Sequence, residues 1–402
     1  MTSQIEVRSR EGVLFCVSLD IFKITLQYTT VFDTKPYNEI LKNKRVQLSK
    51  FRKLYIKAKV PYPVVFMSKN DIESQIDNYI KKTFAGVDMN RQYSIASHGT
   101  IQISAISIML RHIAALQSEV SKSIPDRNNL CGIFLKQKYK SMSVKDKACI
   151  AREKLDINTD RIKSIQGKKE AFLYLERQLN KHNIFISTYD HHLCAQPIQI
   201  EDFAGIFINH KKAPYIFIRA SDDKGMIDPW GRKSLILMLM LGMLLHKNNK
   251  PVLLNTNTKH NSDINDEAYQ FAEEMLMPRE DFSEYVHIKD LVDIKKVSEL
   301  YKVSPSAVIM RCYRLKLISN RQKESLLEEC NKEFEKIRSK KEGGRNRAIE
   351  NGIVLNVGSG ATGIILNRSK QGLIDNARVT NLLSPRKGEG FSIDGIREYL
   401  NV

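Results

Sequence analysis

Apolar and polar positions change period several times along the 402-residue chain. Residues 1–35 carry only short apolar patches, around Val13–Phe15 and Ile21–Leu26, and predict no definite element. From Tyr37 the spacing becomes helical. Within Leu41–Lys59, the residues Leu48, Phe51, Tyr55 and Ala58 repeat at the i, i+3, i+7 interval of an inward-facing stripe. Two prolines in "VPYPVVF" then stop the helix, because neither donates a backbone hydrogen bond and each restricts the residue before it. Further helices are predicted over 104–117, 144–157 and 162–182. At Asn183 the character changes. The runs "IFISTY", "GIFIN" and "YIFIR" are short, β-branched and aromatic, and turn-like "NHKKAP" separates the last two, so they predict strands of a small sheet.

The most apolar stretch is Leu235–Leu245, with no charged residue. Roughly 20 apolar residues are needed to cross a bilayer, and His246-Lys247 close this run too early. Asp228-Pro229 is a helix-start pair, in which the carboxylate caps free N–H groups and proline takes the first turn. A helix from near Pro229 that ends by Pro251 and is apolar on all sides predicts the buried centre of its domain. A second helix is predicted from Ser262-Asp263 to Pro278, with Ala268, Phe271, Ala272, Met275 and Leu276 on one face. Lys295–Ser319 predicts two helices joined by a tight turn, with Ser304-Pro305 opening the second. That helix-turn-helix-like arrangement serves as scaffolding as well as for reading DNA. Asn331–Arg347 is charged and contains glycine, the composition of a linker. In "GSGATG" (358–363) the glycine spacing of a phosphate cradle lacks the crossover helix and second strand that fingerprint needs, so a loop or an interrupted helix is expected.

Composition adds charge to this picture. The net charge of +19 favours contact with polyanions without choosing among them. Eight Lys or Arg and no acid fall between Leu41 and Lys59, and Lys50, Lys53 and Lys57 share the side opposite the apolar stripe. They are candidate phosphate contacts, against the plainer reading of a solvated helix face. The six cysteines include no C-x-x-C pair, which argues against a zinc knuckle or a disulfide framework and fits a reducing interior. With no secretory pattern at the N-terminus, a cytoplasmic protein with no membrane partner is expected. His98 and His112 have no second ligand at helical spacing, and the methionines at 238, 240 and 243 suit core filling better than copper binding.

The order of features from Asn183 onward resembles the ImmA/IrrE family of zinc metallopeptidases. "EAYQFAEEMLMP" (267–278) is similar to the family's helix ending in Leu-Met-Pro, and "GIFINHKKAPYIFIRASDD" to the hairpin before its catalytic helix. "VSELYKVSPSAVIMRCYRLKLI" is similar to the segment that follows. Upstream, "LSKFRKLYIKAKVPYPVVF" resembles the end of the repressor-type domain fused to long members. The resemblance implies an α+β, mostly helical fold, with a small antiparallel or mixed sheet on a zincin-like helical core and helical N- and C-terminal regions. It divides the chain into a degenerate repressor-type helical region (1–80), a helical connecting region (81–182) and a zincin-like pseudo-peptidase domain (183–287). Helix-turn-helix-like helices (288–330) and a small C-terminal domain (348–402) follow.

Matching "LGMLLH" to the family's His-Glu-x-x-His puts the two histidines on Leu239 and Met243 and the glutamate on Met240. The third ligand falls on Asn265, or after a small shift on Asp266 or Glu267. Zinc needs lone pairs from three side chains, and the glutamate must take a proton from bound water. Leucine has no lone pair and methionine only a soft thioether. The resemblance therefore implies a catalytically inactive pseudo-peptidase, without a cofactor, acting as a regulatory protein in stress response or mobile-element control. Its expected partners are a repressor-like or other regulatory protein, and DNA. Two other readings stay open: an active metallopeptidase that cleaves a transcriptional repressor through an unrecognised metal arrangement, and a DNA-binding transcriptional regulator in which the peptidase-like domain is scaffold.

Overall fold

Ile5 and Val7 are buried between exposed or half-exposed neighbours, the alternation of a strand with one face on a core. In the computed structural model, strand β1 (Gln4–Arg8) pairs antiparallel with β2 (Val13–Ser18) and parallel with β3 (Arg45–Gln47), in the order β2-β1-β3. The structure describes residues 4–26, 31, 35–58, 60–83, 93–97, 103–189, 203–219, 229–247, 266–285, 288–340, 349–383 and 391–400. The chain forms two compact units, the first drawn mainly from Met1–Met89 and Ile101–Ala114. Beside its sheet the first unit holds helices α1 (Leu19–Leu26), α2 (Lys35–Asn43), α3 (Leu48–Ala58) and α4 (Lys69–Thr83). Its core is aromatic: Phe22, Phe51 and Tyr55 are sealed from solvent, and the Tyr55 hydroxyl meets Thr25 Oγ1 at 2.8 Å. The helical stripe read from the sequence is found here, with Phe51, Tyr55 and Ala58 buried and Leu48 packed against them. Strands β1 and β2 and helix α1 fall within residues 1–35, for which the spacing predicts no definite element, and β3 interrupts the stretch from Tyr37 that reads as helical.

The second unit carries a four-stranded sheet, ordered β4-β6-β7-β5, from β4 (Tyr93–Ser97), β5 (Phe185–Tyr189), β6 (Phe203–Ile208) and β7 (Tyr215–Arg219). Only the β5–β7 pair is parallel. The three strands read from the sequence are therefore all present. From α5 (Ile103–Val120), Gln117 Nε2 donates to the carbonyls of Ile208 and Ala213 and so pins the β6–β7 hairpin. Helices α6 (Val144–Lys154), α7 (Thr159–Ser164) and α8 (Lys168–Lys181) follow in chain order. Ser143 and Asn158 cap the first two by accepting from the backbone N–H groups of Asp146 and Arg161. Then come α9 (Trp230–His246), α10 (Asp266–Leu276), α11 (Arg279–Tyr285), α12 (Leu291–Leu300) and α13 (Pro305–Arg314). Asp290 and Ser304 cap the last two in the same way, and Ser304-Pro305 opens the second helix of the pair as the sequence predicts.

Two segments differ from their sequence reading. Helix α14 spans Asn320–Lys340, through much of the stretch read as a linker. Glu and Lys are good helix formers, and here they pair along the helix, as Glu328 does with Lys332 at 2.7 Å. The glycines that prompted the linker reading, Gly343 and Gly344, lie outside the described residues. The C-terminal helices α15 (Ile349–Val357), α16 (Ser359–Lys370), α17 (Asn376–Leu383) and α18 (Ile393–Leu400) pack within the second unit. Helices α15 and α16 meet at 103° across Gly358, so the glycine-rich motif is an interrupted helix.

Among the described residues no single helix is long and apolar enough to cross a membrane. By length and composition the bent α15–α16 pair would pass, but Ile353, Val354, Val357, Ile365 and Leu366 are already buried. The whole is a mostly helical α+β fold.

Candidate functional site

Helix α9 is where the sequence places the chemistry, and its surroundings explain its composition. It packs on β6 and β7 on one side and touches α8 and α10 on others, so every residue from Ile236 to Leu245 is buried. Its N-terminus lies hard against the α12–α13 turn. A Cβ on Gly231 would sit 2.4 Å from the carbonyl carbon of Val303. Its C-terminus closes at Lys247, with φ of +50°, whose N–H reaches the carbonyls of Met243 and Leu244. The enclosed stretch from Leu235 to Leu245 carries no charge, whereas the first turn buries Lys233, its ammonium 4.1 Å from the centre of the Trp230 ring.

The motif positions divide between two faces. Met240 turns toward the sheet, where its Cγ and Ile236 Cγ2 stand over Gly205 of β6. Leu239, Met243 and His246 follow one another at intervals of four and three, along a single stripe that includes Gly242. That stripe meets α10, because the Phe271 ring lies against Gly242, 2.6 Å from where a Cβ would stand. Leu239 and Met243 are 0% and 1% exposed.

At the outer end of the stripe the surroundings become polar. The His246 ring lies 4.8 Å from that of Phe134 and 5.7 Å from that of Phe271. Its Nδ1 is 2.7 Å from the Gly242 carbonyl oxygen, and its Nε2 is 4.0 Å from Glu267 Oε1. Burial lowers the His246 pKa, and Lys147 adds to that effect, while the Gly242 carbonyl and Glu267 pull the other way. The imidazole is therefore neutral at pH 7. Lys147 Nζ bonds the same Glu267 oxygen at 3.2 Å, so the carboxylate already holds a cation.

Zinc does not fit these residues. A hydrolytic site asks for three donor side chains and a place for water. Positions 239, 240 and 243 supply hydrocarbon and thioether, and Phe271 packs directly against the helix between them. Among the described residues no group of three His, Cys, Asp or Glu side chains lies close enough to hold a metal ion. Asn265 lies outside the described residues. Glu267, which the sequence offered as a shifted third ligand, is described, and its partners are Lys147 and His246.

One feature of α10 was missed from the sequence. Glu273 and Glu274 are buried at 1% and 7% exposure, and α13 supplies their counter-charges. Arg311, 2% exposed, reaches Glu274 Oε1 at 2.5 Å and Glu273 Oε2 at 3.7 Å. Arg314 also bonds Glu273, and Arg152 of α6 donates to the Glu274 carbonyl oxygen. An arginine inside the apolar run "AVIMRC" was the available signal. Both arginines of α13 are thus spent on internal carboxylates.

Lys50, Lys53 and Lys57 belong to the first unit, where all three lie on the exposed side of α3. No match was found among curated proteins or among solved structures. Residues 231–313, the stretch from α9 through nearly all of α13, match the peptidase M78 family model, described as the IrrE N-terminal-like domain. This part of the chain is thus similar to the peptidase scaffold of the ImmA/IrrE family.

Proposed function

We propose that the protein is a catalytically silent, ImmA/IrrE-like pseudo-peptidase that acts as a regulatory module by binding rather than cutting. One observation carries the reading: the stripe of α9 that would hold the metal consists of Leu239 and Met243, buried against α10 with Phe271 on Gly242. A repressor-like protein is the partner class this scaffold implies, with nucleic acid as the second. Stress response or mobile-element control is the setting. The rival, an active peptidase with another metal arrangement, draws little support from His246 and Glu267, since the ammonium of Lys147 occupies the carboxylate a metal would need.

The test is metal content and turnover of the full chain. After equilibration with zinc and desalting, elemental analysis is expected to find far less than one zinc per chain. Incubation with unfolded protein substrates and with candidate repressors is expected to give no cleavage. About one bound zinc per chain, removed by a chelator together with a proteolytic activity, would overturn the proposal.

A further inference from the structure

The first unit concentrates positive charge on one continuous surface. From Leu41 to Ser68 the sequence contains no Asp or Glu. Lys42, Lys44 and Arg45 stand exposed around the turn from α2 into β3. Lys50, Arg52, Lys53 and Lys57 follow on the outer side of α3. Among the described residues, Lys42, Lys44, Arg45, Lys50 and Lys53 form no salt bridge. Arg52 is held in place, its Nη2 donating to the Tyr62 hydroxyl at 3.1 Å and its guanidinium 5.0 Å from that ring's centre. One acid borders this surface, Glu6, which stands opposite Arg45 in the β1–β3 register and pairs with Arg8 at 3.6 Å; farther along the unit, Lys69 has Glu73.

We infer that this surface, made of the α2–β3 turn and the outer side of α3, binds the phosphate backbone of duplex DNA without reading its sequence. The inference deepens the regulatory reading above by naming its nucleic-acid partner and the residues that hold it. Lys50 and Lys57 stand about 10 Å apart along the helix axis, over which a duplex presents roughly six phosphate charges. Lysines at that density neutralise a backbone, and phosphate contacts fix position without selecting bases. The fixed fork of Arg52 adds a donor already ordered before binding. An anionic membrane is the weaker fit. The apolar side of α3 is buried in its own core, which leaves Ile56 as the single apolar side chain of α3's outer face, too little to anchor a helix between lipids. The helix pair α12–α13 is also weaker, because Arg311 and Arg314 are engaged with Glu273 and Glu274.

The experiment is a titration of the full chain with two labelled duplexes of unrelated sequence, each at several salt concentrations. Both duplexes should bind alike, and raising salt from 50 to 200 mM should weaken binding by roughly 10³- to 10⁴-fold if all seven cations contact phosphate. With Lys50→Gln, Lys53→Gln and Lys57→Gln together, the loss over the same range should shrink to roughly 10²-fold, with an unchanged thermal midpoint. Lys42→Gln with Arg45→Gln is the second variant, which should reduce the salt dependence by about two contacts. A control with Lys136→Gln, Lys138→Gln and Lys140→Gln removes the same charge from an exposed stretch of the second unit and should leave the slope as it was. Equal slopes for the parent and both α2–α3 variants would overturn the inference, as would an equal loss in the control. Strong preference for one duplex, or binding to phosphatidylserine vesicles but not to DNA, would overturn it too. The two proposals fail separately: zinc-dependent cleavage with the expected salt slopes would remove only the silent-peptidase reading.

Discussion

A single hydrogen atom is what Gly242 presents to the ring of Phe271, and the neighbouring side chains are as closely set. Leu239 and Met243 fill the space that imidazoles would need, so restoring the motif puts polar rings into hydrocarbon. Leu239→His with Met243→His is expected to destabilise the protein by several kcal/mol in the presence of a chelator. Leu239→Met, which conserves volume, should cost under about 1.5 kcal/mol. Urea melts of the two variants check this, and an unchanged midpoint for the double histidine variant would show that this face of α9 is open to water. At this scale the sequence was informative. Leu239, Met240 and Met243 name their own chemistry, and eleven residues without a charge announce burial. The closeness of Phe271 to Gly242 was not legible, because nothing in local spacing says which ring crosses which backbone.

Helices in the second unit are joined by charge as well as by apolar contact. The α10–α13 junction rests on Glu273 and Glu274 facing Arg311 and Arg314, the first three buried and Arg314 partly so. Removing one partner leaves the others buried and uncompensated, which is costlier than removing the whole set. Arg311→Met should therefore destabilise the fold by about 3–5 kcal/mol. Adding Glu274→Gln to it removes the carboxylate left without Arg311 and keeps the Arg314–Glu273 pair, so part of that loss should be recovered. Chemical denaturation of the single and double variants decides, and a single variant as stable as the parent would mean the cluster is hydrated. The same junction shows why elements were only partly readable. Helix α9, the three strands β5–β7 and the capped pair α12–α13 follow from apolar period and capping residues. Ion pairs between residues 37 and 41 positions apart leave no trace in any local window. The β1–β2 hairpin was missed because its exposed face mixes Val13 and Leu14 with polar residues, which blurs the alternation. Helix α14 was missed because Glu and Lys suit a linker and an exposed helix alike.

In the molecule as a whole, each unit keeps its own core, and the chain's last helices complete the second. Strand β5 ends the sheet, and α15 and α16 lie against it. The Ser187 hydroxyl donates to the Asn356 carbonyl oxygen, and Gly358, at a φ of +95°, comes so close to Ile186 that an added Cβ would stand 2.2 Å from its carbonyl oxygen. Behind that junction Glu176 accepts from the N–H and hydroxyl of Ser359. Farther along, Glu119 faces Lys122, Arg368 and Arg378 at 3.1–3.4 Å. Gly358→Ala is expected to release α15 and α16 from β5 and leave the α9 core folded. Amide exchange should then speed up over 349–383 and stay slow over 236–245; unchanged protection at both would count against this packing. A sequence with a charged stretch before residue 348 gives no hint of that return, since the partners of α15 lie far upstream. The consequence reaches back to synthesis. A ribosome making residues at about 5–20 per second finishes β5 on the order of ten seconds before it delivers α15. Throughout that interval the nascent chain shows an uncovered strand edge of Phe185, Ile186 and their neighbours, ready to pair with any other extended chain nearby. A holdase on the nascent chain is what that delay would call for, and crowding many such ribosomes on one message would raise the risk of co-aggregation.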